Sequence, residues 1–250
     1  MKYAVITGAS RGLGAAAAQQ LLAEGISVIS IARHENTELK QVAAEAGTGY
    51  SHYSCNLGSE EQVQNVFSEI TETILKDAEK IFVINNAGVI EPIEVAGELD
   101  SSLVMNNVQV NLTAPILICN LILQKAKKTA VEIVIANVTS GAAERPIHGW
   151  SIYCSTKAAI NMFTMTAGLE LEKAESNSKI IAFSPGIMDT DMQATIRSSS
   201  EEAFADLKTF KNYKESGSLR SPETVAGALV KLLLGSQLEN GKVYKVNDLL

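Results

Sequence analysis

Tyr153 and Lys157 stand four residues apart in Ser151-Ile152-Tyr153-Cys154-Ser155-Thr156-Lys157, a spacing that sets a phenol and an ammonium on one face of a helix. A tyrosine in water titrates near ~10 and a neighbouring cation favours its phenolate, so Lys157 is expected to draw Tyr153 down toward general acid–base work. A core-facing aromatic beside a snorkelling lysine has the same spacing, so the rest of the chain must decide. Ser140 precedes Tyr153 by thirteen residues, just beyond an apolar run over 131–138. A strand-end hydroxyl and a helix-borne phenol converge on one oxygen atom if the loop between them folds back, which Gly141, Pro146 and Gly149 permit. His148 lies in that loop, but no Gly-x-Ser-x-Gly elbow accompanies it, so it reads as a rim or solvent residue.

Catalytic side chains need elements to hold them, and strands alternate with helices along the whole chain. Residues 3–7 predict a buried strand, residues 15–23 an alanine- and leucine-rich helix, and Gly8-Ala9-Ser10-Arg11-Gly12-Leu13-Gly14 joins them. Strand, glycine turn and helix in that order suit a pyrophosphate: the backbone approaches closely and the charge meets the free N–H groups of the helix. A second strand, 27–31, ends at Ala32-Arg33-His34, where a dinucleotide's adenosine ribose lies and where an acid would take the 2′-hydroxyl of NAD. Ala32 offers none. Arg33 supplies a cationic fork for a 2′-phosphate, with Arg11 as a second clamp, so NADPH (NADP) is expected over NADH; two solvated surface arginines are the plain alternative.

Residues 37–46 predict an amphipathic helix and 49–55 a third strand ending at Asn56-Leu57, beside the adenine edge or in an ordinary turn. A helix over 59–76, capped by Ser59, carries Val63, Val66, Phe67, Ile70 and Ile74 on one face. The apolar strand 81–84 runs into Asn85-Asn86-Ala87-Gly88, placing Asn86 and Gly88 at the carboxyl edge of the sheet where open α/β sheets bind ligands. Helix is expected over 101–128, with Asn107, Asn111 and Asn120 in apolar surroundings, a kink at Pro115 that frees backbone groups for Asn111 or water, and a charged end at Lys127-Lys128. The helix from Ser151 to about residue 173 has Tyr153, Lys157, Ile160, Phe163, Ala167 and Leu171 inward. Its outer face, with Ala158, Ala159, Met162, Met165 and Ala167, is apolar enough for a second subunit, internal core being the equal alternative. A strand over 179–183 leads to Ser184-Pro185-Gly186-Ile187-Met188-Asp189-Thr190, and a helical stretch within 188–217 reads as a substrate lid. A last helix, opened by Ser221-Pro222-Glu223 with its apolar body over 225–234, and a strand, 241–246, complete the pattern.

At 250 residues the chain fits one α/β domain over 1–250: a Rossmann-type doubly wound parallel sheet with helices on both faces. A formal charge of -7 leaves no basic patch for nucleic acid. No apolar run is expected to approach the ~20 residues of a membrane span, so no membrane partner and a cytoplasmic location are expected. Cys55, Cys119 and Cys154, odd in number and widely spaced, suggest reduced thiols, with neither disulfide nor metal site.

Thr7-Gly8-x-x-x-Gly12-x-Gly14, Asn85-Asn86-Ala87-Gly88, Asn111, Ser140, Tyr153-x-x-x-Lys157 and Pro185-Gly186 with Thr190 occur in the order and spacing of the short-chain dehydrogenase/reductase family, which the chain resembles over its whole length. Within it, residues 189–197 and Gly149-Trp150 are most similar to the sepiapterin reductase-like branch, the bacterial benzil reductases in particular. The resemblance implies that Tyr153 protonates a carbonyl oxygen, Ser140 holds that oxygen, and Lys157 lowers the tyrosine pKa and binds the nicotinamide ribose. It further implies that Asn111 holds a water leading to Lys157, that Ile187 and Thr190 bind the carboxamide, and that Asn86 lies by the cofactor ribose. Gly8, Ser10, Arg11, Gly12, Leu13, Gly14, Arg33, Asn56, Leu57, Asn86, Ala87, Gly88, Pro185 and Gly186 complete the expected cofactor set. Asn56 stands where the family commonly has aspartate, and Asp248 is the one acid after Glu239 where sepiapterin reductases anchor a pterin.

The expected activity is NADPH-dependent reduction of a small ketone or 1,2-diketone of the benzil type to a hydroxyketone, in a homodimer or homotetramer. Trp150, Ile147, Met188, Met192, Phe204 and Phe210 are candidates for an apolar pocket. Reduction of sepiapterin or of a 3-oxoacyl thioester would use the same residues, and an NADPH-sensing binding protein is the non-enzymatic alternative.

Overall fold

Runs that are apolar on both alternating faces, such as Ala4-Val5-Ile6 and residues 81–84, suit strands covered by helices on both sides. The computed structural model, which describes residues 1–127, 129–235 and 237–250, places them so. Strands β1 (Lys2–Thr7), β2 (Ser27–Ala32), β3 (Tyr50–Ser54), β4 (Lys80–Asn85), β5 (Glu132–Val138), β6 (Lys179–Ser184) and β7 (Val243–Lys245) form one sheet, ordered β3-β2-β1-β4-β5-β6-β7, with every pairing parallel. The order reverses between β1 and β4, which opens a crevice at their carboxyl ends.

The helices are α1 (Gly12–Ala23), α2 (Glu38–Ala46), α3 (Glu60–Ile74), α4 (Ser101–Val108), α5 (Ala114–Ala126), α6 (Ser151–Lys173), α7 (Asp191–Arg197), α8 (Leu207–Glu215) and α9 (Pro222–Leu234). One core joins α1, α2 and α9 to one face of the sheet, through Leu21, Leu39 and Leu229. A second joins α3, α5 and α6 to the other, through Phe67, Ile118 and Ala167. Ser59 caps α3 by accepting the Gln62 N–H, as its place three residues ahead predicts. The last strand is shorter than expected, because Val246–Asp248 turns into a 3₁₀ helix.

The expected kink between α4 and α5 takes a particular form. A π turn, Gln109–Thr113, joins them into one helical run, and Ala114 donates its N–H to the Gln109 carbonyl five residues back. Pro115 follows at once and has no N–H, so the Asn111 carbonyl four residues before it lacks its α-helical donor. The whole run, Ser101–Ala126, is 26 residues long and contains an 18-residue stretch with a mean hydropathy of 1.2, long and apolar enough to cross a membrane by length and composition alone. That corrects the expectation that no stretch approaches such a length; here Ala114, Ile118, Cys119 and Ile122 pack in the second core. Asn120 is exposed rather than set among apolar side chains. Lys127 forms the cap of α5, and Lys128 lies outside the described residues.

Two more corrections concern faces. Ala167 is buried inward, so the outer face of α6 is carried by Met162, Met165 and Leu169, which are exposed. Cys55 and Cys119 are buried as expected, whereas Cys154 is half-buried.

Candidate active site

The carboxyl ends of β1, β4, β5 and β6 bring the predicted residues to one edge. After β1, the glycine turn packs against the turn after β4: Asn86 Nδ2 donates to the carbonyls of Thr7 at 3.0 Å and Gly8 at 3.2 Å, while Thr7 Oγ1 accepts the N–H groups of Asn86 and Ala87. A Cβ on Gly14 would overlap the Gly8 carbonyl and the Asn86 amide, so only glycine lets α1 begin this close to the strand. No side chain caps the first turn of α1. Its open N–H groups beside a glycine-lined turn fit a bound pyrophosphate, so the residues present suit the dinucleotide that the motif implies. Ser10 and Leu13 lie in this turn and start of helix. Thr7, absent from the sequence-based set, is the hydroxyl that fastens the two turns together.

Opposite this turn, a Cβ on Gly12 would lie 3.6 Å from Thr190 Cγ2, so the Pro185-Gly186-Ile187 segment and Thr190 close the other side of the crevice. Arg220, which carried no signal in the sequence, clamps that segment: its N–H donates to the Ile187 carbonyl and its carbonyl accepts the Asp189 N–H. Arg11, the expected second clamp, is exposed in the glycine turn. Its guanidinium pairs with Asp191 at 2.6 Å across the crevice, both groups being well exposed. Arg33 itself is exposed just past β2. Asn56 takes the turn-forming role: its Oδ1 accepts the Gly58 N–H at 3.0 Å, with Leu57 buried beside it.

Tyr153 and Lys157 occupy the inner face of the first turns of α6, 6% and 4% exposed. Lys157 Nζ donates to the Val138 carbonyl at 2.9 Å and lies 5.7 Å from the centre of the Tyr153 ring. Burial pushes the phenol up to about 12, the Ser140 hydroxyl pulling part of the way back, and burial brings the lysine down to about 8. The expectation that Lys157 draws Tyr153 down is therefore not met. Leaving water costs the charged form of each group more than the neighbouring cation returns. Ser140 itself stands at the end of the β5 segment, its Oγ accepting the Ala142 N–H.

Asn111 is held by three bonds, accepting the Val89 N–H and donating to the Val89 carbonyl and to Asn107 Oδ1, each at 2.8 Å. Its amide is thereby tied to the turn after β4 and to α4, while its backbone carbonyl is the one released by Pro115. Asn107 donates in turn to the carbonyls of Val89 and Glu91 and accepts from Thr156 of α6. A Cβ on Gly88 would lie 3.3 Å from Asn111 Oδ1 and 3.7 Å from Lys157 Nζ, so the turn after β4, the π turn and α6 meet at that point.

Above Tyr153 lies a third core, in which Trp150, Phe204 and Phe210 are buried with Ile90, Ala142 and Leu207, and Ile147 and Met192 pack at its edge. Met188 does not belong to it; it packs against the first core and bridges to Arg220. Helices α7 and α8 and the turns between them cover this third core. A Cβ on Gly149, whose φ is +79°, would collide with the Ala203 carbonyl, and exposed His148 accepts the Ala205 N–H at 3.3 Å. Asp248 lines a shallow groove with Ala228 and Lys231 of α9, away from this core.

A Rossmann-type sheet with a half-buried serine and a buried tyrosine and lysine at its ligand-binding edge defines an oxidoreductase acting between carbonyl and hydroxyl groups. A profile of the short chain dehydrogenase family matches residues 2–201, and the chain belongs to that family. It is 40% identical over 251 residues to the benzil reductase ((S)-benzoin forming) of Bacillus subtilis (strain 168), covering all of both chains. To the protein of the same name from Bacillus cereus it is 39% identical over 249 residues, 99% of this chain and 100% of that one. Among solved structures, a short chain dehydrogenase/reductase from Saccharomyces cerevisiae has a TM-score of 0.82 at 28% identity, over 99% of this chain and 97% of that one.

Proposed function

We propose that this chain is an NADPH-dependent carbonyl reductase whose substrates are 1,2-diketones of the benzil type, reduced to hydroxyketones. The observation that carries the reading is a phenol buried between Ser140 and an aromatic enclosure, beside a crevice whose glycine turn and uncapped helix suit a dinucleotide. Bound along that crevice, the reduced nicotinamide supplies a hydride to the carbonyl carbon.

The protein's own groups do the rest. Ser140 Oγ and the Tyr153 hydroxyl hold the substrate oxygen, and Tyr153 gives its proton as negative charge gathers there. Near neutral pH a phenol at about 12 is a ready donor in its protonated form, because an alkoxide is a stronger base than a phenolate. Lys157 is charged below about pH 8, and its cation stabilises the phenolate left behind. The freed Asn111 carbonyl is suited to a water that returns the proton. Ile187 and Thr190 face the crevice where a carboxamide would sit, and Arg33, with no acid at Ala32, favours a 2′-phosphate. The exposed Met162, Met165 and Leu169 favour a homo-oligomer, to be measured by light scattering.

The test is absorbance-followed oxidation of NADPH with benzil, with NADH as the paired control. Turnover that prefers NADPH is the expected result. Preference for NADH would remove Arg33 from the cofactor site, and binding of NADPH without reduction of any ketone would end the reductase reading.

A further inference from the structure

The enclosure above Tyr153 contains a polar atom that nothing satisfies. Trp150 is 5% exposed. Its ring stacks on Phe204 with centroids 5.0 Å apart and meets Tyr153 and Phe210 edge-on, each at 5.4 Å. Its Nε1–H has no acceptor among the described residues. A buried indole N–H ordinarily finds a partner, since the water it gave up must be replaced. Ile90, Ala142, Ile196 and Leu207 lie in the same cluster and offer no side-chain acceptor. A bound substrate that enters this enclosure can supply the missing acceptor.

Resting on the diketone-reductase reading above, we propose that Trp150 Nε1–H is the donor to the second, non-reacting carbonyl oxygen of a 1,2-dicarbonyl substrate. In such a substrate the two oxygens are carried on adjacent carbons. With one held by Ser140 and Tyr153, the other lies within the same enclosure, whose one unsatisfied donor sits three residues before the catalytic tyrosine. A hydrogen bond there draws electron density from the adjoining carbonyl through the shared carbon–carbon bond and makes the reacting carbon more electrophilic. It also sets the substrate class. A site built to donate a hydrogen bond rejects an analogue lacking the acceptor much more strongly than an apolar wall distinguishes a methylene.

Benzil and deoxybenzoin carry the same two phenyl rings, and in deoxybenzoin one carbonyl is replaced by a methylene. The readout is the ratio of their kcat/KM values measured on one enzyme preparation, in which any folding defect cancels. Trp150→Phe keeps an aromatic ring and removes the N–H, and the benzil preference should fall roughly 10- to 100-fold. Phe204→Leu keeps the N–H while loosening the stack, and should leave the ratio as it was. A ratio that survives Trp150→Phe, or that falls equally with Phe204→Leu, overturns the assignment to the indole while the reductase reading stands. Failure of the unaltered enzyme to reduce benzil removes both. A second measurement needs no substitution, because Trp150 is the one tryptophan in the chain. In enzyme loaded with NADP, its emission should move to longer wavelength with benzil and less with deoxybenzoin; equal shifts would also overturn the assignment.

Discussion

The two sides of the site are built in different ways. On the side of β4, β5 and α6, a set of buried polar side chains is tied by hydrogen bonds: Lys157 by Val138, Asn111 by Val89, Asn107 by Thr156, and Asn137 by Asn85 and Thr164. On the lid side, α7 and α8 rest on stacked aromatic rings, a glycine contact and exposed ion pairs such as Arg11–Asp191 and Lys214–Asp189. Buried hydrogen bonds fix geometry, whereas exposed ion pairs are each worth about 0–1 kcal/mol and exchange readily. Tyr153 and Lys157 thus sit on the side fixed by buried hydrogen bonds, and α7 and α8 on the side held in part by exchangeable surface contacts.

Three substitutions probe that division. Tyr153→Phe should lower kcat by about a thousandfold, the scale of a lost general acid, while NADPH affinity measured by titration changes little. Retained activity would show that the rigid side does not hold the proton donor. Gly149→Ala places a methyl against the Ala203 carbonyl at a φ of +79° and should cost roughly a hundredfold in kcat/KM by misplacing the lid. Cofactor affinity should hold, and an equal loss of both would mean that the lid is as much a part of the cofactor crevice as the glycine turn.

The smallest effect concerns stability. The Lys157 ammonium falls from 10.5 to about 8 on burial, so between those values the native state holds fewer protons than the unfolded one. The destabilisation is fully present below about pH 8 and is relieved as pH rises toward 10.5. Lys157→Met removes that cost but leaves the Val138 carbonyl without its donor. It should stabilise the protein at pH 7 by on the order of 2 kcal/mol and flatten the rise in stability above pH 8. Destabilisation at pH 7 in thermal melts would show that Lys157 is not held as a desolvated charge.

What could be read from the sequence divides along similar lines. Local pattern carried the strands, the glycine turn, the Ser59 cap and the convergence of Ser140, Tyr153 and Lys157, because each depends on residues near in sequence or on the common edge that parallel strands share. Two things depended on distant partners and were misjudged or missed. Burial overrode the cation in setting the tyrosine pKa, and Arg220 reached the Ile187 segment from a loop with no motif of its own. The π turn lay between these cases: Pro115 marked the place, but which groups Asn111 would bind depended on Val89, twenty-two residues away.

A π turn is an α-helix with one residue to spare. Excising Leu112 or Thr113 would return the run to α-helical register, bring the Ile116 N–H four residues after Asn111, and leave α4 and α5 seated much as they are. It would also carry Asn111 off the Val89 backbone and close the carbonyl that Pro115 leaves open. At that point of the chain, fold and chemistry are separable by the length of a single deletion.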